Sequence, residues 1–175
     1  MSNTEAVAEI NNPTGLVTQT DQYLTFMLAE EEYGVDILRV QEIKGWSHAT
    51  PIPNTPAFVK GVINMRGTIV PIVDLRERFQ MAEAAYGPTT VVIVLKVLGE
   101  DEAERTMGIV VDAVSDVYNV AGADIRPTPD FGSRIDVAFL KGLATIEEKM
   151  VILLDIDKLL NQSVVPEMDP APQAR

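Results

Sequence analysis

From residue 23 onward, short apolar or alternating runs recur along the chain, each ended by turn-forming residues: "YLTFMLA", "EYGVDI", "GVINM", "TIVPIVDL", "TTVVIVLKVL", "TMGIVVDAVSDVYNV" and "KMVILLDI". Val, Ile and Thr dominate them, and branching at Cβ suits a pleated strand better than a helix. The pattern predicts an all-β fold. Two acidic loops, "LAEEEYG" (28–34) and "LGEDEAERTMG" (98–108), each separate two apolar runs and predict hairpins with solvated tips. Helix is scarce: "DILRVQEI" suits a short helical turn, and "DIDKLLNQ" (155–162) suits a short C-terminal helix. Pro71, inside "TIVPIVDL", cannot donate to a ladder and predicts an edge or bulged strand. Residues 1–20 and 162–175 are polar or Pro-rich without periodicity and predict flexible tails around a folded part, residues 21–161.

An internal repeat organises that folded part. "FVKGVINMRGTIVPIVDLRERF" (58–79) aligns without a gap on "FLKGLATIEEKMVILLDIDKLL" (139–160), an offset of 139 − 58 = 81. Phe58/Phe139, Lys60/Lys141, Gly61/Gly142, Val70/Val151 and Asp74/Asp155 are identical. Upstream, "GVDILRVQEI" (34–43) matches "GIVVDAVSDV" (108–117) at an offset of 108 − 34 = 74, so the second half carries seven extra residues, assigned to "DFGSRID". About five strands per half predict two small five-stranded barrels, whose closure removes exposed edges, packed on a shared core. The first copy spans about 21–80 and the second about 88–160, with exchange of strands between them left open. Where the first copy has Arg66-Gly67, the second has Glu147-Glu148. A corner the barrel required would be alike in both copies, so Arg66 points to a role outside the shared fold.

Composition narrows the function classes. A chain of 175 residues can bury a real core, and a net charge of −12 disfavours nucleic acid and anionic membranes, whose binding rests on Lys and Arg. No apolar run approaches the roughly 18 residues a membrane helix needs, and the first residues lack the basic and apolar regions of a secretory signal. Cysteine is absent, which fits a reducing cytoplasm. The single histidine, His48, lies in a loop and reads as a surface residue; with no cysteine the usual zinc sets are missing. Nucleophile-elbow, phosphate-loop and dinucleotide motifs are also missing. Glu30–Glu32 and Glu100–Glu102 are contiguous rather than convergent, as solvated hairpin tips would be. No enzyme, metal or cofactor is predicted. Trp46 reads as core or rim packing, or as a partial interface anchor. Val40 and Glu42, two apart in "RVQEI", share a face if that stretch is extended. Arg66 offers a planar fork suited to a carboxylate, either Glu42 of its own chain or an acidic residue of a partner.

"EEYGVDILRVQEI", "IPNTPAFVKGVINMRGTIVPIVDLR" and "TVVIVL…GIVVDAVSDV…IRPTP" resemble the CheW family, the coupling proteins of bacterial chemotaxis. The likeness covers residues 21–161. It implies two five-stranded SH3-like barrels on a shared core. It also implies a non-enzymatic cytoplasmic adaptor, recruited to membrane receptor arrays, that joins chemoreceptor tips to the histidine kinase CheA, whose regulatory domain shares the fold. By motif position, Val40, Glu42, Arg66, Gly67, Ile69 and Val91 match the family's groove for a receptor helical hairpin. For the kinase the resemblance nominates Ile52, Pro53, Pro56 and Phe58. "GEDEAER" and the C-terminal tail fall outside the motif and receive no role. The alternatives are a stand-alone regulatory module of another two-component kinase pathway, or a small barrel enzyme or ligand-binding protein, which would need convergent polar groups.

Overall fold

The computed structural model describes residues 20–81, 86–99, 101–128 and 137–161; almost all of both predicted tails and the assigned insertion fall outside them. Ten strands follow in order: β1 (Thr20–Leu28), β2 (Glu31–Asp36), β3 (Val40–Gly45), β4 (Val59–Met65), β5 (Thr68–Asp74), β6 (Val91–Leu98), β7 (Glu104–Val111), β8 (Ala113–Ala121), β9 (Leu140–Ile146) and β10 (Lys149–Leu154). A 3-10 turn, Ile37–Arg39, links β2 to β3; helices α1 (Leu75–Arg78) and α2 (Ile156–Asn161) follow β5 and β10. Both acidic hairpins and the C-terminal helix stand where the sequence predicts them. Helix α1 was not foreseen, although Asp74 caps it by accepting a hydrogen bond from the Arg76 amide.

The strands form two five-stranded sheets, ordered β8-β1-β2-β10-β9 and β3-β6-β7-β5-β4. Adding five to each strand number (and subtracting it from those above five) converts one order into the other. Each sheet therefore takes a hairpin from one copy of the repeat and three strands from the other. The chain crosses between sheets at Ile37–Arg39 and again at Asp112, which divides the predicted run "TMGIVVDAVSDVYNV" into β7 and β8. The register repeats as well. Gly34 lies opposite Leu153, and Gly108 opposite Ile72, in parallel ladders. A Cβ at these glycines would meet Leu153 Cδ2 at 2.9 Å and Ile72 Cδ1 at 2.8 Å, so glycine is what lets the exchanged hairpin seat.

Three apolar clusters result. One is shared, with Phe26, Tyr33 and Val35 of one sheet packed against Ile93, Leu95 and Ile109 of the other. A second is private to the β3–β7 sheet, around Val70, Ile72, Val92, Val94 and Val110, and a third is private to the other, around Tyr23, Val120, Val151 and Leu153. A single bridge brings the ends of each sheet together, Thr50 to Val62 and Arg126 to Leu143, which curls each sheet into the SH3-like arrangement. Gly61 and Gly142 stand at these seams with φ of +132° and +154°, and a Cβ at Gly61 would fall 2.0 Å from the Thr50 carbonyl oxygen. That close approach explains their identity in the repeat.

One expectation needs correction. Strand β5 lies between β7 and β4, so Pro71 is not on an edge strand; the bulged alternative fits better, since the β4–β5 register shifts beside it, between Val59 and Gly61. Its parallel ladder with β7 begins only at Ile72, so the missing N–H falls just outside the paired stretch.

Candidate functional site

The β4–β5 connection is a two-residue turn, closed by the pair Met65–Thr68. Arg66 and Gly67 have φ of +54° and +89°, the doubly positive pattern that matches the twist of a hairpin. Gly67 N–H donates to Asn64 Oδ1 at 2.9 Å. The β9–β10 turn is the same: Glu147 and Glu148 have φ of +54° and +69°, closed by Ile146–Lys149. The backbone here needs neither arginine nor glycine.

Arg66 Nη1 donates to Glu42 Oε1 at 2.8 Å, and the arginine side chain is 75% exposed. The internal pair foreseen as one alternative forms, yet among the described residues Arg66 makes no other side-chain hydrogen bond, and most of its fork faces solvent. An exposed pair of this kind adds little to stability. The hydrogen bond from Arg66 holds the Glu42 carboxyl below the ordinary glutamate range; partial desolvation opposes it, and the charges of Arg66 and Lys44 assist. The pair spans the mouth of a recess of about 320 Å³, lined by Gln41, Met65, Thr68, Val70, Val94 and Thr106 beside the two charged residues. Gly67 has open space around its Cα.

The six residues of the predicted groove divide between two faces. The register pairs Val40 with Leu95 but Glu42 with Val94, a bulge that absorbs Gln41. Leu95 belongs to the shared core and Val94 to the private one, so Val40 and Glu42 point to opposite sides. The expectation of one shared face fails because strict alternation does not survive a bulge. Val40 and Val91 are half-buried against the shared core. Ile69, 57% exposed, alternates with the privately buried Val70 and so lies on their side of the sheet. Glu42, Arg66 and Gly67 gather at the mouth. The recess residues Thr68 and Val70 were legible as one alternating face of β5, whereas Gln41 and Thr106 carried no signal.

Of the four kinase nominees, Ile52 accepts from the Thr55 hydroxyl and Pro56 from the Val59 amide, which braces the loop before β4. Phe58 is half-buried, with the Arg78 guanidinium 5.0 Å above its ring; the same guanidinium lies 4.9 Å over Phe139, its repeat partner. His48 is exposed. Trp46 packs on the private core and tilts against Tyr86, with ring centroids 4.7 Å apart, the packing role foreseen for it. Tyr86 in turn donates its hydroxyl to the buried Asp74, and desolvation followed by that carboxylate pushes its phenol upward. Among the described residues, no group of three or more His, Cys, Asp or Glu is placed to hold a metal, and no helix is long and apolar enough to cross a membrane.

At the equivalent mouth of the other sheet, Asp116 takes the place of Glu42, and Glu147 that of Arg66. Burial raises the phenol of Tyr118, and Glu147, Asp116 and Glu32 raise it further; of these acids Glu32 is paired with Lys149 at 3.8 Å.

These features define a duplicated, strand-exchanged all-β module. The family model described as "CheW-like domain" matches residues 22–164, and the chain belongs to that family. It is 47% identical over 152 residues to a chemotaxis protein CheW of Klebsiella aerogenes, covering 87% of this chain and 89% of that protein. It is 41% identical over 138 residues to a chemotaxis protein CheW of Rhizobium meliloti, covering 79% and 86%. Among solved structures it is similar to the scaffolding protein TtCheW of Thermoanaerobacter tengcongensis, with a TM-score of 0.74, 34% identity, and coverage of 83% of this chain and 91% of that one.

Proposed function

We propose that this protein is a non-enzymatic adaptor of chemotaxis, coupling the cytoplasmic tips of chemoreceptors to the regulatory domain of the histidine kinase CheA at membrane receptor arrays. The relatives' names support it: chemotaxis protein CheW and scaffolding protein. The observation that carries it is Arg66, a mostly exposed guanidinium on a turn that the second copy builds from two glutamates. A charge the fold does not need is available to a partner.

In this reading residues 21–161 form the working unit. Val40, Ile69 and Val91 supply apolar contact to a receptor helical hairpin, while Glu42, Arg66 and Gly67 supply a polar end to the groove. Ile52, Pro53, Pro56 and Phe58 belong to a kinase-facing loop. Co-sedimentation with receptor-bearing membranes, with and without CheA, tests the reading. The adaptor should pellet with the receptors and increase the kinase recovered in the pellet. Kinase recovery unchanged by the protein would sink the coupling role.

A further inference from the structure

The recess behind the Arg66–Glu42 pair belongs to one copy of the repeat. Thr68 of β5 and Thr106 of β7 wall it, over a floor of Met65, Val70 and Val94. The offsets of the repeat match Thr68 with Lys149 (149 − 68 = 81) and Thr106 with Glu32 (106 − 32 = 74). The parallel registers agree with that match, since Ile72–Gly108 in one sheet corresponds to Leu153–Gly34 in the other. In the second sheet the two long side chains meet as an ion pair at 3.8 Å. In the first, two short hydroxyl side chains leave about 320 Å³ open. The fold does not require the recess.

Size and polarity decide what fits. One turn of helix with its side chains, about 10 Å across and 5.4 Å long, fills roughly 420 Å³. A side chain can therefore enter and a helix cannot. The lining offers donors and acceptors together. The Thr106 hydroxyl donates to Gln41 Oε1 at 3.5 Å, long for such a bond. Among the described residues, the Thr68 hydroxyl and the Gln41 amide nitrogen have no hydrogen-bond partner. The charges at the mouth already neutralise each other at 2.8 Å. A carboxylate or ammonium entering behind them would be partly desolvated with no counter-charge of its own. An apolar side chain would leave the hydroxyls and the amide without partners. A carboxamide carries two donors and an acceptor and no charge, so it matches the lining.

We propose that the recess receives one carboxamide side chain, Asn or Gln, from the receptor helical hairpin, and that Thr68 and Thr106 make the site selective for it. The proposal rests on the adaptor reading for the partner and deepens the polar end of the groove assigned there.

Co-sedimentation of the full chain with receptor-bearing membranes tests both. Thr68→Lys with Thr106→Glu transplants the pair of the other copy and should weaken binding at least tenfold by filling the volume. Thr68→Val with Thr106→Val keeps the shape, removes only the hydroxyls, and should weaken binding about fivefold. Each is measured on protein whose circular dichroism matches the parent, and the Val variant carries the test if the charged one does not fold. On the receptor side, the Asn and Gln residues of the hairpin tip are replaced by Leu one at a time. One replacement should weaken binding to the parent but not to the Val variant, the coupling expected of a direct contact. Parent protein that fails to pellet with the membranes overturns the adaptor reading and this proposal together. If the parent pellets, undiminished binding by the Val variant or by a folded charged variant overturns the recess alone. So does a receptor set in which no replacement couples to the threonines.

Discussion

Two pairs of equivalent contacts separate what this fold requires from what it merely carries. Arg76 of α1 bonds Asp112 at 2.6 Å, and Asp112 also accepts the Ala29 amide at the tip of the β1–β2 hairpin. At the position 81 residues later stands Asp157 of α2, paired bidentately with Arg39 at 2.8 and 2.7 Å and accepting the Leu98 amide at the β6–β7 hairpin. The staple is present in both copies with its charges reversed, from matching positions at 76 and 157 and from residues one step out of register at 112 and 39. The mouth pair is not kept at its own positions: Arg66 and Glu42 in one copy become Glu147 and Asp116 in the other, and the ion pair of that mouth is instead Lys149 with Glu32. Exchanged hairpins must be held at their tips, so selection on folding keeps a complementary pair in either polarity. Nothing in folding keeps the mouth pair, and there the copies have diverged.

The comparison is broken most severely at the seams. Gly61→Ala would press a Cβ into the Thr50 carbonyl at a φ that side chains avoid and should cost on the order of 3 kcal/mol or more. Gly142→Ala should cost somewhat less, because the backbone oxygen its Cβ meets, that of Arg126, lies 2.7 Å away against 2.0 Å at Gly61. Urea unfolding of both variants gives the order.

The staples come next. Arg76, only 14% exposed against 31% for Arg39, should cost about 2 kcal/mol when changed to Ala, and Arg39→Ala about 1 kcal/mol. Equal losses, or none, would remove the distinction drawn between staple and mouth. Smaller again are the turns. Glu148→Gly relieves a positive φ of +69° and should stabilise by up to about 1 kcal/mol, whereas Arg66→Ala should leave the urea midpoint at that of the parent.

The smallest effect is in pH. Glu42 is depressed in the folded state, so its contribution is present above the ordinary glutamate value of 4.5 and is lost as pH falls through the lower folded value. A nuclear magnetic resonance titration should find its midpoint below that value, and Arg66→Ala should move it upward. An unmoved midpoint would mean that the pair does not form in solution.

Much of the fold was legible because its signals are local and repeated. Val-rich runs announce strands, and the identities at Gly61/Gly142 and Asp74/Asp155 mark positions where backbone approach and helix capping demand one residue. Arg66 stood out because the second copy supplied a control within the same chain. What was not legible depends on pairing across the molecule. The exchange of hairpins between sheets leaves no trace in hydrophobic period, since each strand looks the same whichever sheet receives it. The bulge at Gln41, which parts Val40 from Glu42, is set by register with β6 and not by the tripeptide itself. Pro71 left edge and bulge open for the same reason: how far the β7 ladder extends cannot be read from β5.

The central claim is that the Arg66 guanidinium serves a partner and not the fold. Binding of Arg66→Glu to receptor-bearing membranes, measured by co-sedimentation on protein whose circular dichroism matches the parent, tests it most directly. The account predicts an affinity at least tenfold weaker with the melting transition preserved. Parent-like binding, or a variant that no longer folds, would contradict it.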